Sequence, residues 1–247
     1  LPMLAALRSA LHLCWMGLTV VPWGLWVVLL APWVKSATVY RLCVGWLRQV
    51  VWMAGPMLGI RNRMHGLENL PTDPSARVVL LVKHQSTWET FAMPVLMPRP
   101  LAYVFKRELL SIPFFGWAMA KMDMVHIDRQ RRAEAFHRVV AQGQRLLDKG
   151  IWMIMFPEGT RVPRGQTGQY KTGGARLAVA TGATVIPVAV TSARCWPARA
   201  WIKRPGVVDI SIGPAMPASG RDPAELMSEV QQWIEAEVQR LDPPPHG

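Results

Sequence analysis

Lys83-His84-Gln85-Ser86-Thr87-Trp88-Glu89 sets an imidazole five residues before a carboxylate. A histidine oriented by an acid can take the proton from a hydroxyl as that hydroxyl attacks, which is general-base chemistry. On one continuous helix, residues five apart point about 140° away from each other. The pairing therefore needs His84 in a loop and Glu89 in the first turn of a following helix. Ser86-Thr87-Trp88-Glu89 also fits a capping box, in which the hydroxyl and the carboxylate satisfy free amides at a helix start. Both readings put Glu89 in a first turn, and only the first gives it a part in chemistry.

Phe156-Pro157-Glu158-Gly159-Thr160-Arg161 gathers an acid, a flexible glycine, a hydroxyl and a guanidinium. Arg161 can hold a phosphate through paired charge-assisted bonds, and loop amides around Gly159 can add donors. Lys106 and Arg107 form a basic cluster ahead of the apolar Ile112-Pro113-Phe114-Phe115 run. Lys171 stands just before Gly173-Gly174, a glycine-rich helix start suited to anions. G-x-S-x-G, G-x-G-x-x-G and H-E-x-x-H are all absent.

These groups need a scaffold that delivers them to one place. Val78–Lys83, Tyr103–Lys106, Met124–Ile127, Ile151–Phe156, Thr184–Val190 and Val207–Ile212 read as strands. Between them, Trp88-Glu89-Thr90 begins a helix, and 131–149, 174–181 and 222–241 carry helical periodicity, the last with Pro223 in its first turn. Strands alternating with helices predict an α/β layered domain with a mixed sheet flanked by helices. Ligands in such sheets collect beyond the carboxyl ends of strands, where His84 and residues 156–161 would emerge.

Residues 1–63 have a different character and are expected to form membrane-anchoring helices, with the enzymatic domain over 64–247. No formal charge lies between Arg8 and Lys35, and residues 1–67 contain six Lys or Arg but no Asp or Glu. That run is long enough to cross a bilayer. Pro22, Gly24 and the scattered Trp15, Trp23, Trp26 and Trp33 equally suit a re-entrant hairpin in one leaflet. Tyr40–Ile60 reads as an amphipathic helix on the membrane surface, with a buried helical layer as the alternative. On this reading, removing residues 1–60 impairs membrane association more than folding.

A formal charge of +12 calls for an anionic partner, and 51% hydrophobic residues with twelve Trp and fourteen Met favour a lipid surface over nucleic acid. Three scattered cysteines without C-x-x-C spacing suggest neither a disulfide framework nor a zinc site.

His84 with Glu89, Lys106-Arg107-Glu108-Leu109 with Pro113 and Gly116, Phe156–Arg161, and Val185-Ile186-Pro187-Val188 occur in an order that resembles the glycerolipid acyltransferase family. Within it they are most similar to the bacterial 1-acylglycerol-3-phosphate acyltransferases. The likeness covers about residues 65–215, with one departure: Glu89 stands where the family has Asp. The resemblance implies acyl transfer from acyl-CoA or acyl carrier protein to the hydroxyl of lysophosphatidic acid, giving phosphatidic acid. It implies no cofactor and no metal. It gives His84 and Glu89 catalytic roles, and Lys106, Arg107, Glu158, Gly159, Thr160, Arg161 and Lys171 substrate-binding ones. Glu158 would bind the glycerol portion or brace Arg161, and amides near Gly159 would supply oxyanion donors. The implied location is a bacterial inner membrane, with the site on the cytoplasmic side. Another lysolipid acceptor, such as lyso-ornithine lipid, and a non-catalytic lipid-binding role are the alternatives.

Overall fold

Val78–Val82 is apolar throughout and wholly buried. A strand without polar alternation must be covered on both faces, and a helical layer covers each. The computed structural model describes residues 2–106, 110–111, 115–127 and 132–243. The chain runs α1 (Pro2–Leu30), α2 (Ser36–Leu58), β1 (Ile60–His65), β2 (Val78–Val82), α3 (Trp88–Leu96), β3 (Leu101–Lys106) and α4 (Phe115–Lys121). It continues with β4 (Val125–Ile127), α5 (Arg132–Asp148), β5 (Trp152–Met155), α6 (Gly173–Thr181), β6 (Thr184–Val190), β7 (Gly206–Ile212), β8 (Met216–Pro217) and α7 (Pro223–Leu241).

The strands form one sheet in the order β1-β7-β6-β2-β5-β3-β4, with β8 also on β6. From β6 to β4 they are parallel, β7 and β8 run against β6, and β1 is parallel to β7. The expected layered α/β fold with a mixed sheet is therefore the one adopted. Side chains alternate across the sheet. Leu80, Val82, Ile154, Ile186 and Val188 share a core with α2 and α3, while Val79, Leu81, Met153 and Val185 share one with α5, α6 and α7.

Pro187 sits within the central strand β6 without damaging it. β8 pairs with residues 184–185 and β7 with residues 188–190, so on that side Pro187 lies between two ladders. Its carbonyl accepts from Gly213 N–H there, and its missing donor falls where no strand asks for one.

The N-terminal helices depart from expectation. α2 runs on past Pro56 to Leu58 and ends at Gly59 in the left-handed region, φ 73°. It buries Val39, Val44, Val50, Val51, Ala54 and Leu58. Its apolar face, expected on a membrane surface, lies instead on the sheet: Val51, Ala54 and Leu58 belong to the main core. Removing residues 1–60 would strip that core of one wall, so the expectation that the domain would survive the cut is corrected.

α1 is long and apolar enough to cross a membrane by length and composition. It is nevertheless held to the protein along its length. Near its start Ser9 Oγ accepts from Lys203 N–H at 2.7 Å, His12 Nε2 lies 3.4 Å from the Val50 carbonyl, and near its end Val27 packs with Val39, Ala118 and Met122. The other face leaves Leu4, Leu7, Leu11, Leu18, Val21 and Leu29 exposed.

Candidate active site

β2 and β5 are neighbours, yet the chain leaves them in opposite directions. β2 leads through α3 to β3, beyond β5, and β5 leads through α6 to β6, beyond β2. Such a reversal opens a crevice at the strands' carboxyl ends. Residues 83–89 leave β2 there and residues 156–162 leave β5 there. The two stretches are bonded together: His84 N–H donates to Glu158 Oε2 at 2.9 Å, and Val162 N–H donates to the His84 carbonyl at 2.8 Å.

His84 lies in the loop and Glu89 in the first turn of α3. The hydrogen bond expected between them is absent. Glu89 is 1% exposed, and a buried carboxylate takes the nearest donors. It accepts from Gln85 N–H at 2.6 Å, Ser86 N–H at 3.0 Å, Ser86 Oγ at 3.0 Å and Ser192 Oγ at 2.7 Å. Ser86 Oγ in turn accepts from Trp88 N–H at 2.9 Å. In this state Glu89 is thus the capping residue of its own loop. Burial pushes its carboxyl up to about 7, against the pull of those donors.

The His84 ring stacks on Phe156, centroids 3.9 Å apart and planes at 17°. Its Nδ1 is buried without a hydrogen-bond partner. Burial first, and the Arg161 charge second, push the imidazole down to about 4. At neutral pH it is therefore uncharged, with a lone pair free to take a proton, as a base requires.

Arg161 is exposed, donates from Nη1 to Thr87 Oγ1 at 3.0 Å, and has no ion-pair partner among the described residues. Lys171 is also exposed, with its N–H bonded to the Pro157 carbonyl at 2.9 Å. Gly159 adopts φ 67°, and a Cβ there would stand 3.0 Å from Lys171 Nζ. The glycine thus brings the lysine over the loop that carries Arg161 and exposed Thr160. Gly159 N–H closes a turn on the Phe156 carbonyl, while those of Thr160 and Arg161 make no hydrogen bond among the described residues.

Glu158 is not where the sequence reading put it. It neither braces Arg161 nor faces the crevice. Its carboxylate is fully buried and accepts from Lys83 Nζ at 2.7 Å, His84 N–H and Gly168 N–H. The cause is Lys83, a wholly buried ammonium at the end of an apolar strand. Lys83 was overlooked in the sequence, although a lysine closing a five-residue apolar run must find a buried anion. The Lys106 side chain and all of Arg107 lie outside the described residues.

Beside β3 and β4 lies a cavity of about 510 Å³ lined by Phe105, Leu110, Met119, Met122 and Met124, with Gln142 and Arg145 as polar members. Among the described residues no cluster of three His, Cys, Asp or Glu could hold a metal.

Known proteins are similar to this chain in sequence and in fold. Residues 61–191 match the family model described as Acyltransferase. A 1-acyl-sn-glycerol-3-phosphate acyltransferase of Pseudomonas aeruginosa is 40% identical over 242 residues, 96% of this chain and 93% of that one. The human 1-acyl-sn-glycerol-3-phosphate acyltransferase alpha is 28% identical over 69% of this chain and 60% of its own. The crystal structure of the 1-acyl-sn-glycerophosphate (LPA) acyltransferase PlsC from Thermotoga maritima superposes with a TM-score of 0.79 at 21% identity, covering 98% of this chain and 99% of that one. The last likeness speaks to the fold.

Proposed function

We propose, from the premise that the chain belongs to the acyltransferase family, that it is a 1-acylglycerol-3-phosphate acyltransferase. It moves a fatty acyl group from a thioester to the free hydroxyl of lysophosphatidic acid and makes phosphatidic acid. The observation that carries the reading is His84, stacked on Phe156 with a buried, unbonded Nδ1, beside Arg161, which has no ion-pair partner among the described residues, at the carboxyl ends of β2 and β5.

His84 removes the acceptor's hydroxyl proton as the oxygen attacks the thioester carbonyl. A carbon–oxygen bond forms, and the carbonyl π electrons move to its oxygen. The free Thr160 and Arg161 amides are the donors for that oxyanion. Collapse breaks the carbon–sulfur bond, and the departing sulfur takes the proton back from the imidazolium. No acyl-enzyme is needed. Arg161 and Lys171 hold the acceptor phosphate, and the methionine-lined side of the cavity beside β3 accepts an alkyl chain. Glu89 acts through the loop: by holding residues 85–86 it fixes the direction in which His84 leaves β2. The test is product formation from labelled acyl-CoA and from acyl carrier protein on lysophosphatidate vesicles. Phosphatidate with either donor is expected; none with both would sink the assignment.

The reading also covers location. α1 is tied near its start by a hydrogen bond at Ser9 and near its end by apolar packing of Val27, which favours a place within one leaflet over a full span. Its exposed leucines lie in that leaflet, with exposed Trp201, Arg199 and Arg204 flanking Lys203 at headgroup level. Each arginine near an anionic surface adds about 1 kcal/mol. Arg199→Glu with Arg204→Glu should therefore weaken binding to phosphatidylglycerol vesicles at least tenfold, and leave binding to phosphatidylcholine vesicles little changed. Equal losses on both would remove these residues from the contact.

A further inference from the structure

Beneath the base lies a second buried ionic cluster that the reaction above does not use. Lys83 Nζ donates to Glu158 Oε1 and Glu235 Oε1, each at 2.7 Å, and to the Gln166 carbonyl at 3.3 Å. Glu235, on α7, accepts from Tyr170 Oη at 2.7 Å and Thr167 Oγ1 at 2.9 Å. One ammonium thereby joins four parts of the chain: the end of β2, the loop after β5, residues 166–170 and the last helix. On one side the network ends at the His84 N–H, through Glu158. On the other it ends one residue short of Lys171, through Tyr170.

Stability alone is a poor reason for such a cluster. Taking Lys83 and Glu158 wholly out of water, and Glu235 largely so, is costly, and well-packed apolar residues of the same volume would hold the fold as well or better. What an apolar plug would not supply is direction. Gly168 shows how tightly the segment is set: a Cβ there would come within 2.6 Å of Val162 and 3.0 Å of Glu158 Oε1. Its N–H reaches that same oxygen at 3.3 Å.

We propose that Lys83 and Glu235 are positioning residues. They fix the distance between the base and the phosphate-holding Lys171 by clamping the 166–171 segment to α7 and to the loop that carries His84. This deepens the functional reading and rests on it for the acceptor's identity. Glu235 acts on acceptor binding because its bonds run to the segment leading into Lys171, and Lys83 acts on both binding and turnover because it also grips Glu158.

The experiment is a double-mutant cycle of Glu235→Gln and Lys171→Ala in the full-length protein, reconstituted in vesicles. Expected for Glu235→Gln is a rise of about tenfold in KM for lysophosphatidate, the scale of one charge-assisted bond, with kcat and the thioester KM within about twofold. On top of Lys171→Ala it should add almost nothing, since both act through one contact. Hydrogen exchange at the amides of residues 166–171 should quicken while that of β2 and β5 does not. Full additivity, unchanged exchange, or a parallel fall in every kinetic constant with Tm would overturn the proposal. Tyr170→Phe, which deletes a single bond to Glu235, gives the same readouts in smaller measure should Glu235→Gln not fold. A wild type inactive on lysophosphatidate counts against the acceptor assigned above; the exchange measurement still decides the clamp.

Discussion

His84→Ala should lower kcat for phosphatidate formation by about 10²–10⁴-fold, the usual worth of a positioned general base, with both KM values within a few-fold of wild type. The reason is geometric. Among the described residues Nδ1 is buried without a partner and no hydrogen bond of the imidazole shapes the loop, so its loss breaks none of the bonds there. The His84 backbone, which accepts from Val162 and donates to Glu158, is untouched by the substitution. Steady-state rates with Tm measured alongside check this. A folded His84→Ala protein turning over like wild type would remove His84 from the chemistry while leaving the family intact. Glu89→Gln sets the contrast. Its carboxylate gathers four donors, so the amide must both weaken the loop and slow the reaction, and Tm and kcat should fall together.

Arg161→Leu should raise KM for lysophosphatidate by about 10–100-fold, since a charge-assisted bond to phosphate contributes about 1.5–3 kcal/mol. It should also move the pH profile. The guanidinium repels a proton on His84, so it adds to the lowering caused by burial. Without it the imidazole's pKa rises from about 4 toward its ordinary value. The base is active when neutral, so the acidic limb of kcat/KM for lysophosphatidate, which reports the acceptor-free enzyme, is expected near pH 4 in wild type and higher in Arg161→Leu. A limb that stays in place would show that burial alone sets the imidazole, and an unchanged KM would free Arg161 of the phosphate.

The sequence revealed the strands that carry the site because those strands are buried on both faces. β2 and β6 are continuous apolar runs between turn signals, and no helix of that length competes with them. β1 escaped notice for the converse reason. It lies at the edge of the sheet, and Arg61, Asn62 and Arg63 break its apolar pattern, so no strand is legible between the helix read over Tyr40–Ile60 and the turn-rich stretch that follows. The functional stretches were legible as residue types and as neighbours of strand ends. Their hydrogen bonds were not. Glu89 and Glu158 each stand beside a tempting partner in the chain, and each is drawn to a donor whose nearness depends on the fold: Ser192 for one, Lys83 for the other. Burial decided both, and it is a property of the assembled layers.

The edge strand has a further consequence, in time. Among the described residues β1 pairs with β7 alone, in a parallel register that sets Arg61 beside Val207, 207 − 61 = 146 residues later. At roughly 5–20 residues per second of synthesis, β1 waits about 7–30 s for its partner. Throughout that interval α1, with its exposed leucines, has already left the ribosome. The nascent chain therefore presents its leucine-rich first helix well before its sheet can close.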